Sequence, residues 1–233
     1  MIKSFLILII FSTFLAATQQ IILVVSDDLN TSSAKLECFE GNSVVFKSID
    51  VNIGKKGLGW GLGEIELKKS PQDIIKYEGD KKAPIGVFKL SSIFGYSKSN
   101  NFKMPYTHAS KKLICVDDSN SKNYNKIITM PKNKPESFEY MKRDDLQYEL
   151  GIVVEHNKEA ISRRGSCIFI HVEKSENEGT AGCTSMKLLD LKKIVSWLDE
   201  KKNPILIQIP KFSASEILRL YPELKNSELL HQK

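Results

Sequence analysis

The sequence predicts a mainly β, α+β domain, and three observations carry that prediction. Short apolar runs of strand length recur from residue 21 to residue 172, separated by stretches rich in Pro, Asn, Ser and Lys. The long segment with a 3.6-residue apolar period, 186–201, comes only after them. No internal repeat or low-complexity linker divides the chain, and 233 residues suit one sizeable domain.

Taken in order, the elements begin with a leader. Lys3, an apolar stretch from Phe5 to Leu15 and the small residues Ala16, Ala17 and Thr18 have the layout of a secretory signal peptide. A signal anchor running on through 21–25 would bury Gln19 and Gln20 in hydrocarbon, where an unpaired amide is costly. The expectation is therefore a signal peptide over 1–17 and a single exported domain over 18–233, with no stable membrane span after cleavage.

Residues 21–26 read as a strand, and 35–40 and 43–49 as a hairpin about Gly41-Asn42. Glycine alternates with other residues over 57–63 but lacks the GKS or GKT ending of a phosphate loop. It reads as a bend where backbone approaches backbone. Further strands are expected at 86–90, 113–116, 149–155 and 166–172. In 186–201, Leu188, Leu189, Leu191, Ile194, Val195, Trp197 and Leu198 cluster on one helix face, with Thr184 or Ser185 as N-cap. Residues 204–210 read as a buried strand, and Ser213 with Glu216 as a capping box opening a short helix over 216–224.

Composition removes several classes. Apolar residues at 41% and charged residues at 27% exclude wholesale disorder and a polytopic membrane protein. The +6 charge is spread along the chain and forms no basic tail, so nucleic acid is not an expected partner. Cys38, Cys115, Cys167 and Cys183 have neither a CxxC pair nor metal-ligand spacing, so no metal is expected. The first three sit in apolar, strand-like contexts and read as small buried hydrophobes. If Cys183 is a working thiol, at most one bridge remains among the others.

The chemistry concentrates in 166–186, SCIFIHVEKSENEGTAGCTSM. A strand carries Cys167, Phe169 and His171 on one face. Cys183 stands just before the expected helix, whose unpaired N–H groups would lower the thiol pKa. Gly182 removes bulk beside the sulfur and frees the backbone N–H groups of Gly182 and Cys183 to face an oxyanion. His171 is the candidate base, taking the thiol proton and later giving it to a leaving amine. No side chain is evident to orient it. Glu173, Glu176 and Glu178 read as solvated loop charges, His108 and His156 as surface or structural histidines, and Asp117 and Asp118 as turn formers.

These residues resemble the L,D-transpeptidase catalytic domain (YkuD-like) family, in an exported branch. The resemblance rests on His171 at a strand end, on Thr180-Ala181-Gly182-Cys183 against a Ser/Thr-x-Gly-Cys turn, and on Gly79 to Phe88 against GDGKTPxGxF. Residues 54–63, 104–106, 115–125 and 151–157 add to it. The sequence departs from the family where an Arg often follows the nucleophile, here Thr184-Ser185-Met186, and where Gly-Thr often follows the histidine, here Val172-Glu173. The resemblance implies a β-sandwich and a cysteine acyltransferase acting on peptidoglycan stem peptides. Cys183 would carry the acyl group as a thioester and His171 would serve as base and acid, with no cofactor. An L,D-carboxypeptidase on the same scaffold, or a non-catalytic wall-binding protein, are the alternatives.

Overall fold

The computed structural model describes residues 18–70 and 72–231; the expected signal peptide, 1–17, lies outside them. Strands β1 (Gln20–Ser26), β2 (Ser33–Glu40) and β3 (Ser43–Asn52) form an antiparallel meander. The expected hairpin turn is at Gly41, whose φ of +57° is open to glycine at low cost. β4 (Leu58–Trp60) runs beside the start of β5 (Ala83–Gly95), and β6 (Tyr106–His108) beside its end. β7 (Leu113–Cys115), β8 (Ile127–Thr129) and β9 (Glu139–Tyr140) form a separate small sheet with β7 central. The chain then supplies β10 (Leu150–Val154), β11 (Phe169–Val172), β12 (Thr184–Met186) and α1 (Leu188–Trp197). It ends with β13 (Ile205–Pro210) and the short helices α2 (Ala214–Leu220) and α3 (Glu228–His231).

The large sheet closes on itself where a sandwich is expected. Its order is β10-β11-β12-β3-β2-β1-β13-β5, and β5 returns to pair β10. Closure depends on the length of β5. Its 13 residues span about 43 Å at strand rise, enough for Gly86–Lys89 to pair β13 and Leu90–Gly95 to pair β10. A strand that serves two partners at its two ends turns the sheet into a barrel-like ring. β1, QIILVVS, is buried at every position, which explains its unbroken apolar run.

Expected boundaries shift for identifiable reasons. Residues 184–186 do not enter the helix, because Thr184–Met186 pairs β11 on one side and Asn52 of β3 on the other. Lys187 is then the N-cap and makes no side-chain cap bond. The strand expected over 166–172 joins the ladder only from Phe169, since Cys167 has φ +53°. The Ser213–Glu216 capping box does not form. Glu216 instead accepts the Lys68 N–H at 3.2 Å. The glycine-rich bend is as expected: a Cβ on Gly57 would lie 2.0 Å from the Leu29 carbonyl oxygen, and one on Gly63 2.3 Å from that of Val87.

Two apolar clusters fill the molecule. The larger joins the ring strands to Leu191, Ile194 and Val195 of α1 and to Leu198 just past its end, while Leu189 of the expected apolar face is 72% exposed. The smaller lies under the β7–β9 sheet and contains Phe94, Ala109, Cys115, Met141, Tyr148, Cys167, Phe169 and Cys183. The Phe94, Tyr148 and Phe169 rings meet edge to face at 5.1–5.6 Å, each pair adding about 1 kcal/mol beyond burial. Cys115 and Cys167 are not free hydrophobes: they form a disulfide that ties the small sheet to the approach of β11. Cys38 is buried and free, as expected. Among the described residues no helix is long and apolar enough to cross a membrane.

Candidate active site

β11 and β12 are parallel neighbours, with Ile170 beside Thr184 and His171 beside Ser185. That register carries Cys183, just ahead of β12, to the level of Phe169. The Phe169 N–H donates to Cys183 Sγ at 3.4 Å, and the thiol donates to the Cys167 carbonyl at 3.5 Å. Phe169 and His171, two apart on a strand, share a face. Cys183 and His171 are thus diagonal neighbours, with Cα atoms about 8 Å apart by strand spacing and rise. The Tyr148 ring packs at 5.2 Å from the His171 ring and 5.6 Å from that of Phe169.

The orienting partner that no side chain in the sequence supplied is a backbone carbonyl. His171 Nδ1 lies 2.8 Å from the Val172 oxygen. A carbonyl only accepts, so Nδ1 carries the proton and Nε2 is the basic nitrogen. A main-chain acceptor has no residue signature, which is why sequence reasoning missed it.

Both groups are covered. His171 is 4% and Cys183 8% exposed. Burial pulls the imidazole down to about 4, with the Val172 carbonyl opposing. Burial pushes the thiol up to about 12, and Glu139 adds to the rise; the Phe169 N–H, Lys76 and Arg143 oppose it. The thiol is therefore not depressed by a helix start. β12 and Lys187 separate Cys183 from α1, so the macrodipole has no direct hold on the sulfur. In the resting site the pair is neutral thiol and neutral imidazole.

The covering layer brings charge that sequence spacing could not foretell. Tyr148 Oη donates to Glu139 Oε2 at 2.6 Å, and burial raises the Glu139 pKa. The Arg143 guanidinium sits 5.0 Å from the Tyr148 ring centre and grips Asp145 through Nε at 2.9 Å and Nη2 at 2.5 Å. A guanidinium does stand near the pair, but from the covering segment and not from the position after the nucleophile.

Gly182 has φ +151°, and a Cβ there would meet the Lys82 carbonyl oxygen at 3.0 Å and Lys76 Nζ at 3.5 Å. The space expected to stay open beside the sulfur is filled by these atoms. The Gly182 N–H donates to Thr180 Oγ1 at 3.0 Å, and that hydroxyl donates to the Cys183 carbonyl at 2.6 Å, so the turn is locked from within.

The other candidates fall away from the pair. His156 is buried with both ring nitrogens used, Nδ1 accepting from the Leu62 N–H and Nε2 facing the Arg164 carbonyl, and its pKa is drawn down to about 4 by burial. Asp118 caps the Asn120 and Glu136 N–H groups. Glu173 binds Asn52, while Glu176 and Glu178 pair Lys187 and Lys174 at the surface.

The family model described as the L,D-transpeptidase catalytic domain (YkuD) matches residues 21–207. No curated protein matches the chain, and no solved structure does.

Proposed function

The chain belongs to the L,D-transpeptidase catalytic domain family, and from that premise we propose that it is a cysteine acyltransferase of peptidoglycan stem peptides working through Cys183 and His171. The observation that carries the reading is the parallel β11–β12 register, which brings the Cys183 turn against the strand that carries His171, whose Nδ1 is held by a carbonyl and whose ring packs on Tyr148.

The steps follow from the geometry. His171 Nε2 takes the thiol proton, and Cys183 Sγ attacks the carbonyl that precedes a terminal D-amino acid. The Cys183 N–H faces the oxyanion, since the Gly182 N–H is committed to Thr180. Collapse breaks the C–N bond, and the imidazolium protonates the departing amine. The thioester is then resolved by the amine of a second stem peptide, forming an amide and restoring the thiol. Substrate reaches the thiol where the covering layer around Tyr148 gives way, with the Cys115–Cys167 bridge still holding β7 to the approach of β11.

The Cys115–Cys167 disulfide supports export to an oxidising compartment at the wall, and 1–17 is the segment that would direct it. Purified protein incubated with a tetrapeptide muropeptide tests the assignment. Cross-linked dimer and released D-amino acid are expected, both lost in Cys183→Ala and His171→Ala. Tripeptide alone would move the assignment to a carboxypeptidase. An unconsumed tetrapeptide, with intact protein still bound to sacculi, would move it to a wall-binding protein.

A further inference from the structure

The Cys183 turn rests on a buried cation that the sequence reading passed over. Lys76 is 3% exposed, and its side chain runs between two residues without side chains. A Cβ on Gly165 would meet Lys76 Cε at 3.0 Å, and one on Gly182 would meet Nζ at 3.5 Å. The ammonium is fixed by Asp80 Oδ1 at 2.7 Å and, more loosely, by the Tyr77 carbonyl at 3.4 Å. Asp80 is itself immobilised, accepting the Tyr77 N–H at 2.9 Å and the Lys82 N–H at 2.9 Å.

Such an arrangement is not explained by stability. A buried ion pair seldom repays the desolvation of its two charges, and an apolar pair of the same volume would serve the core as well. An ammonium also has three donors. Two are used here, and among the described residues the third finds no acceptor. The charge stands beside Gly182, the residue joined to the nucleophile.

We propose that Lys76 is a positioning residue for the nucleophile, its ammonium held beside Gly182 by Asp80 so that the Cys183 thiolate and the oxyanion that follows form against a fixed positive charge. This rests on Cys183 being the working thiol. The groups facing the sulfur from the elements around it divide in sign. Glu139 of β9 opposes a thiolate, Lys76 and Arg143 favour it, and Tyr148 and His171 are neutral at rest. Both cations are paired with a carboxylate, Lys76 with Asp80 and Arg143 with Asp145, but the Arg143 pair is partly exposed, so solvent screens it. Lys76 is the buried one.

The test reads the thiol directly and needs no wall substrate. The rate of Cys183 alkylation by iodoacetamide is followed against pH, with the Cys183 peptide identified by mass so that Cys38 does not contribute. The thiolate displaces iodide, so the rate tracks its fraction. Lys76→Met is expected to slow alkylation about tenfold or more at one pH well below the thiol's titration, where the rate follows the small thiolate fraction, while Lys76→Arg stays near the parent. If Lys76→Met loses its native circular dichroism, the neutral pair Lys76→Met/Asp80→Asn takes its place with the same expected direction. An unchanged alkylation rate in a folded neutral variant overturns the proposal, as do equal changes in the Met and Arg variants or loss of fold in both neutral forms. A muropeptide assay that fails beside a titration that succeeds would fault the substrate and leave Lys76 in place.

Discussion

Removing the Cys115–Cys167 bridge should cost a large share of the molecule's margin. The two residues are 52 apart in sequence, and closing a loop of that length in the unfolded chain removes entropy worth about 4 kcal/mol at 25 °C. On the native side the Ala pair also loses two buried sulfur atoms from the small cluster, which adds to the cost. The perturbation is Cys115→Ala/Cys167→Ala, made in a Cys183→Ala background so that no new pairing arises. Urea unfolding under non-oxidising conditions, compared with the bridged Cys183→Ala parent, gives the difference. A loss of about 3–5 kcal/mol is expected, a large share of the 5–15 kcal/mol typical of a folded domain. A loss below about 1 kcal/mol would mean that the reduced chain keeps the small sheet against β11 when unfolded, and the entropy reasoning would be wrong.

Acid should destabilise the protein early. His171 and His156 titrate near 4 when folded against 6.5 in the free side chain, so between those values the unfolded chain binds more protons and stability falls as pH falls. Each contributes on the order of 3 kcal/mol that is present above pH 6.5 and gone near pH 4; a urea midpoint flat across that range would refute it. Gly151→Ala puts a Cβ 2.3 Å from Phe94 Cζ, in a ring locked by its neighbours. It should cost about 1–3 kcal/mol, read as a lower melting temperature. Asn157→Ala strips a buried side chain that accepts the Ile161 N–H and donates to the Ile161 and Gly165 carbonyls, each at 2.9 Å. The expected loss is about 2–4 kcal/mol, checked by calorimetry.

Much of the β framework was legible because its signals are local. Residues 21–25 announced themselves by an unbroken apolar run, 204–210 by one interrupted only at Gln208, and Gly41-Asn42 by turn chemistry. The 57–63 glycines could be read as close backbone contact and not as a phosphate loop. What escaped the sequence depends on partners far along the chain. Thr184–Met186 carries helix-compatible residues, and only β3 and β11 make it a strand. Ring closure at β5 needs two distant strands to meet one long one. At the site, the spacing of His171 and Cys183 was readable through its motif. The Val172 carbonyl, Arg143 and Lys76 were not, since they reach the turn through backbone geometry or from other segments.

The first strand of the ring waits for the last. β1 lies between β2 and β13, and its parallel registry with β13 runs from Ile21 against Ile205 to Ser26 against Pro210. A nascent or translocating polypeptide therefore keeps one side of β1 bare until some 180 further residues have emerged, and loop closure over that distance is slow. A molecule so built stays threadable while it is being made and hardens only at the end, and any truncation short of β13 leaves a long sticky edge for aggregation.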